Sequence, residues 1–287
     1  MSALDAGASS GPVSDAAHPR RAVDRLLAGN AWLVFAFLYA PILVLVVLSF
    51  NSNRIVGVWQ EPTLRWYRDL LQDQAVLRSL KNSLIVAAVS TTVATVLGTA
   101  AALSLERFRY RGQRLFDGLL YLPVIIPDVT MAVMMLLFFV QAFDLILIAT
   151  GTSPNLGLGT ISLSHIAFNI SFVAIVVRAR LAGLDRSLEE AAADLYASSW
   201  QAFRRVTLPL IAPGVLGGAL LALTLSLDDV VITSFVSGPG STTLPVYVFG
   251  LVRRGVTPLI NAVSVVMLVG SMLLVIASLI VQRQRND

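Results

Sequence analysis

The chain has 287 residues, of which 56% are apolar and only 13% charged, with a mean hydropathy of +0.78. Soluble domains carry about 45–50% apolar and about 25% charged residues, so this composition excludes an ordinary soluble domain and points to a lipid bilayer. Cysteine is absent, which excludes disulfides, a thiolate nucleophile and a cysteine metal site, and the net charge of +4 sits beside apolar runs, as topology anchors do, rather than on a nucleic-acid-binding face.

Residues 1–29 read as a disordered tail. The first part is rich in Ala, Ser, Gly and Pro and lacks the apolar core of a cleaved signal peptide. A membrane domain is expected over 30–283, followed by a short tail at 284–287. A bilayer core needs about 20 mainly apolar residues per helix, and about six such runs occur. The first span is Ala31–Phe50. An amphipathic run, Thr63–Leu80, carries Trp66, Leu70, Leu71 and Leu77 among charges and suits a helix lying at the interface. Trp59, Trp66, Tyr67 and Tyr121 read as interfacial anchors, with Tyr121 also open to an ammonium contact.

The second span covers about Ser83–Leu105 and the third about Leu119–Phe143. Pro123 and Pro127 interrupt the start of the third, so a kink or a broken helix is expected there. Asp144–Ser164 reads as a loop. The fourth span is about Ile161–Ala182, the fifth Ile211–Phe235 and the sixth Leu259–Val281. Ser237-Gly238-Pro239-Gly240 reads as a turn. Gly214 and Gly218 form a small-xxx-small pair suited to close helix packing. His165 reads as an interfacial or hydrogen-bonded residue rather than a ligand.

An even number of spans puts both termini on one side. The tails and the loops after spans two and four hold fourteen Lys and Arg residues, and the opposite side holds seven. Positive residues favour the cytoplasm, so both termini and the segment 183–208 are expected to be cytoplasmic.

That segment is the most informative stretch. Ser187-Leu188-Glu189-Glu190 and Ser198-Ser199-Trp200-Gln201 each fit a capping box. Ala191–Leu195 is a strong helix former, and Trp200, Phe203 and Val206 recur on one stripe. Two short surface helices are expected, suited to meeting another protein or to joining two spans.

Charged residues inside the bilayer cost roughly 2.5–3.5 kcal/mol on insertion scales and usually face a cavity or a partner. Asp128 follows Pro127, and Asp228 and Asp229 lie in the fifth span. Adjacent helical residues point about 100° apart, so one aspartate can line a pathway while the other bonds locally. An acidic lining attracts cations and repels anions. No internal repeat is evident, and an intramembrane enzyme is not expected: the sequence suggests no Ser–His pair on plausible faces, no His-Glu-x-x-His motif and no paired acids with protease spacing.

Glu190-Ala191-Ala192, Asp194 and then Leu208-Pro209 resemble the EAA loop of ABC importer permeases. That motif places glycine where this chain has Tyr196. Leu225–Val231, Ser234–Gly240, Thr243-Leu244-Pro245, Gly255–Pro258 and Leu122–Asp128 resemble the spermidine/putrescine (PotC/PotI-type) permeases. The resemblance implies an all-α integral membrane protein with the type I ABC importer permease fold in a bacterial inner membrane. It implies coupling helices over 183–208, with Glu190, Ala191, Ala192, Asp194, Tyr196, Leu208 and Pro209 at the ATPase contact. It also implies that Asp128, Asp228, Asp229 and Tyr121 face the substrate pathway. The implied partners are cytoplasmic ATP-binding subunits, a second permease and a periplasmic substrate-binding protein. The chain has no G-x-x-x-x-G-K-[ST] loop, so no cofactor is expected on it; ATP and Mg would be used by the separate ATPase. The alternatives are an importer of another solute, such as an iron chelate, thiamine or a quaternary amine, or a stand-alone secondary transporter.

Overall fold

A computed structural model describes residues 18–53, 55, 58–185, 187–255 and 257–283. The chain divides into two units, one ending at Leu48 and one starting at Ser49. The first unit is the helix α1 (His18–Leu48), whose segment Val23–Leu48 is 26 residues of mainly apolar sequence. At 1.5 Å per residue that is about 39 Å, longer than a hydrocarbon core of about 30 Å. The tail expected through residue 29 is therefore helical from His18 on, and residues 1–17 lie outside the described residues, as do 284–287.

In the second unit, the run Thr63–Leu80 is not one interfacial helix. It is split by Asp73 into α2 (Arg65–Gln72) and the beginning of α3 (Gln74–Arg107). The Asp73 carboxylate accepts from the backbone N–H groups of Ala75 (2.8 Å) and Val76 (3.2 Å), which starts the second helix. Trp66 and Leu70 are buried, and Leu70 packs with Val76, Leu244 and Val263. The Trp66 indole donates to the Asn51 carbonyl at 2.7 Å. Of the four apolar residues of that run, Trp66 and Leu70 are thus covered by protein, whereas Leu71 and Leu77 stay exposed.

The expected interruption is present at Pro127 but not at Pro123, which stays within a helix. α4 (Gln113–Ile125) ends, Ile126 and Pro127 are extended, and α5 (Asp128–Thr150) begins. Proline disfavours the helical region for the residue before it, and Ile126 accordingly has ψ 132. α5 runs on to Thr150, and α6 (Leu158–Leu181) starts earlier than expected. The loop read over Asp144–Ser164 therefore shrinks to 151–157. It is held down by Gly238, where a Cβ would lie 1.8 Å from the Leu156 carbonyl oxygen.

α7 (Ser187–Asp194) and α8 (Ser199–Ala202) form the segment between the fourth and fifth crossings. A π-helical turn, Phe203–Thr207, joins α8 to α9 (Leu208–Asp228). The fifth crossing then breaks at Asp229 and resumes as α10 (Val231–Val236). α11 (Leu244–Arg254) is a further helix between the expected fifth and sixth spans, and α12 (Pro258–Arg283) follows it. Five described helices are long and apolar enough to cross a membrane, and the 26-residue α12 is apolar over Pro258–Leu273, where the sixth span is expected.

α3, α6 and α9 pack against one another. Small residues permit this: a Cβ added to Gly98 would lie 2.7 Å from Val173 Cβ and 2.8 Å from the Ile170 carbonyl. Gly218 meets the same Val173, and Gly214 meets the Arg180 stem, so the pair read for helix packing does face α6. Both obstacles at Gly98 are fixed parts of α6. Gly98→Ala is expected to cost about 1–3 kcal/mol by overpacking, read as a melting point several degrees lower in detergent. An unchanged melting point would contradict this packing.

Candidate functional site

The two helix breaks meet. α10 packs on α5 and α6 through Ile232, Val236, Met131, Phe139, Ile161 and Phe168. This brings the start of α5 beside the end of α9 around a cavity of about 240 Å³. Asp128, Asp228 and Asp229 all line it, with Pro123, Phe168, Phe172 and Leu225 among the other walls and no Lys or Arg among its described lining residues. Backbone released from a helix inside a bilayer is tolerated where it lines a cavity, and residues 228–231 line this one.

The two adjacent aspartates have different surroundings. Asp229 is consumed locally: Oδ1 accepts from Ile232 N–H at 3.2 Å, and Oδ2 accepts from Thr233 N–H and Thr233 Oγ1, both at 2.7 Å. It caps α10, and only 11% of its side chain is exposed. His165 Nε2 approaches the same Oδ2 at 3.3 Å and Thr233 Oγ1 at 3.0 Å. The Thr233 hydroxyl already donates to Asp229, so it can only accept from His165, and Nε2 is the donor. Nδ1 meets Ser226 Oγ at 2.7 Å, which meets Ser90 Oγ on α3 at 3.0 Å. His165 is fully buried. It joins α3, α6, α9 and α10 at the break, a role its sequence position alone did not disclose.

Asp228 is the last residue of α9 and is exposed. It also lines a larger groove of about 490 Å³, with Ser83, Leu84, Thr224, Leu244, Met267 and Ser271 among the other walls. This residue therefore borders two open spaces. Asp128 is exposed at the first turn of α5, where the positive end of the helix dipole favours an anion. Tyr121 is not among the residues lining this cavity. Its ring lies 6.0 Å from the Arg178 guanidinium, its hydroxyl 3.5 Å from Arg178 Nη1.

α11 is pinned beside the groove. Leu244 N–H donates to Ser83 Oγ at 2.8 Å, and Asn82 Nδ2 donates to the carbonyls of Gly240 and Thr242, each at 3.0 Å. The turn at 237–240 is thereby fixed to α3.

In the 183–208 segment, the second capping box is formed: Ser198 N–H donates to Gln201 Oε1 at 3.0 Å and Gln201 N–H to Ser198 Oγ at 3.3 Å. The first is not, because Ser187 is already the first helical residue. Its N–H donates to Asp185 at 2.9 Å, and that bond holds the Asp185 carboxyl below the usual carboxylate range. Glu190, Ala191 and Asp194 are exposed, Ala192 half-buried, and Leu208 and Pro209 exposed at the start of α9.

Tyr196 takes the left-handed conformation, φ 60. Its N–H donates to the Ala193 carbonyl (2.9 Å), and Ala197 N–H reaches the Ala192 carbonyl (3.0 Å). This is the Schellman closure of a helix end. The turn keeps the geometry that a glycine would favour, and its ring is 97% exposed. A left-handed non-glycine residue costs roughly 1–2 kcal/mol, part of which a glycine would return as unfolded-state entropy. Tyr196→Gly is expected to slow hydrogen exchange at Ala197 several-fold; faster exchange would contradict the strain.

Broken membrane helices around an acidic cavity, together with a protruding two-helix loop, define a multi-pass membrane transport subunit. Residues 94–286 match the family described as binding-protein-dependent transport system inner membrane component, and the chain belongs to that family. It is 48% identical over 237 residues to the putrescine transport system permease protein PotI of Escherichia coli (strain K12), covering 82% of this chain and 83% of that one. It is 39% identical over 265 residues to the spermidine/putrescine transport system permease protein PotC of the same organism, covering 92% and 97%. In structure it is similar to a chain of a bacterial ABC transporter involved in the import of the acidic polysaccharide alginate, with TM-score 0.77, 19% identity, and coverage of 93% and 96%. That last likeness concerns the fold alone.

Proposed function

We propose that this chain is one permease subunit of an ATP-driven importer of linear polyamines, with putrescine and spermidine as the substrates to test. The observation that carries the reading is the cavity at the two helix breaks, where Asp128 and Asp228 are exposed and no Lys or Arg is among the described lining residues. An acidic lining in a low-dielectric wall concentrates cations. Phe168 and Phe172 offer apolar faces for an alkyl chain and quadrupoles for its ammonium ends. The names of the two curated relatives agree with this substrate class.

The pathway is completed by a second permease, identical or paralogous. The 183–208 segment faces the cytoplasm, as the excess of basic residues on that side suggests, and both termini lie there in the bacterial inner membrane. Glu190, Ala191, Ala192, Asp194, Tyr196, Leu208 and Pro209 meet a separate ATP-binding subunit, which uses ATP and Mg. The exposed Leu195, Tyr196 and Trp200 side chains give that contact an apolar centre. A periplasmic binding protein delivers the substrate to the opposite face.

The test is ATP hydrolysis by the purified complex with its binding protein, with and without putrescine or spermidine. Stimulation by either polyamine is expected. A complex that responds to neither, while responding to another solute, would refute the substrate.

A further inference from the structure

No residue of α7 is buried, so apolar packing does not hold this helix to the membrane part. Polar links do. One carboxylate oxygen, Glu189 Oε1, receives Arg107 Nη2 at 2.7 Å and Thr207 Oγ1 at 2.5 Å. Arg107 is the last residue of α3, and the buried Thr207 is the last residue of the π turn that opens into α9. A single oxygen on α7 thus fastens it to two of the three helices that pack at the centre of the unit. The side chains of the pair are only 17% and 30% exposed, so solvent screens it less than a surface ion pair. π-helical turns inside longer helices often mark functional positions, and here the turn places Thr207 under Glu189.

The neighbouring residue extends the linkage. Glu106 accepts from Arg178 Nε on α6 at 2.9 Å, and Arg178 Nη1 bonds Asp117 on α4. α4 leads to the break before Asp128. The consecutive pair Glu106 and Arg107 therefore faces two ways: toward the loop, and toward the half-helix that opens on the cavity.

We propose that Glu189 is the positioning residue that transmits displacement of α7 to α3 and α9, separately from the residues that dock the ATPase. This rests on the reading of 183–208 as the ATPase-contacting loop. A docking residue holds the ATPase; a transmitting residue sets how much transport each hydrolysed ATP produces.

The experiment compares uptake of labelled putrescine per ATP hydrolysed in proteoliposomes holding the whole complex, with the binding protein added. Glu189→Ala and Arg107→Ala are expected to retain the ATPase subunit and to keep hydrolysis within about twofold. Uptake per ATP should fall about tenfold, a coupling change of ordinary size between sites. The reversed pair, Arg107→Glu with Glu189→Arg, should recover part of that ratio. If Glu189→Ala does not assemble, Glu189→Gln is read instead, since it keeps an acceptor for Thr207. An unchanged ratio in the assembled single variants overturns the proposal, and so does loss of the ATPase from Glu189→Ala and Glu189→Gln alike, which would make Glu189 a docking residue. A wild-type complex that binds no ATPase would instead refute the loop reading, and this joint with it.

Discussion

Asp228→Asn is expected to reduce putrescine uptake about 10- to 100-fold while leaving membrane insertion and ATPase association unchanged. Asp228 is exposed at the end of α9 and lines both the cavity and the groove. Among the described residues its side chain takes no hydrogen bond in the break; the cap of α10 and the link to His165 belong to Asp229. On the proposed pathway, removing its charge would remove an attraction for a cation and little of the fold. A hydrogen bond to a charged group is worth about 1.5–3 kcal/mol, and each 1.4 kcal/mol is about tenfold, which gives the stated range. Asp229→Ala should behave differently. It strips the cap of α10 and leaves His165 and Thr233 without their carboxylate, so the yield of folded complex should fall. Full uptake by Asp228→Asn, measured with labelled putrescine in cells, would contradict the division of labour between these two acids.

Deleting 190–196 should abolish association with the ATPase subunit while the chain still inserts. α7 buries no residue, and the side chains of Glu190, Leu195 and Tyr196 face solvent. Their removal costs the crossing helices no apolar packing. It removes the apolar centre and the acidic group that the partner would meet, and interface affinity concentrates in such central residues. Co-purification on a tagged permease measures this directly. ATPase recovered in wild-type amount with the deleted chain would refute the docking role of the loop.

Much of this architecture was legible because it follows from local rules. Long apolar runs announced the crossings, and Pro127 announced the break before α5. Ser198 and Gln201 announced α8 through their reciprocal bonds. What escaped depended on contacts between distant segments. The burial of Trp66 and Leu70 follows from where α11 and α12 pack, which no period within Thr63–Leu80 records. The break at Asp229 is set by a side chain that caps the next helix while a histidine more than sixty residues away in sequence bonds it at 3.3 Å. An aspartate pair in an apolar run gives no sign of which member is so used. Likewise Glu189 lies between Ser187 and Glu190, the two ends of the expected capping box, with no role of its own in the sequence pattern, and only the placement of Arg107 and Thr207 makes it a joint. Tyr196 departs from the loop motif, which has glycine there; the backbone keeps the left-handed turn that a glycine would favour, with the strain borne by the tyrosine.

The central claim is that the chain is half of a pathway for a cationic amine, driven from outside itself. The most direct measurement is uptake of labelled putrescine into proteoliposomes containing both permeases, with the binding protein outside and ATP inside, compared with and without the ATPase subunit. Accumulation that requires the ATPase and is competed by spermidine is expected. Accumulation that persists without the ATPase, or a complex that hydrolyses ATP yet moves neither polyamine, would contradict it.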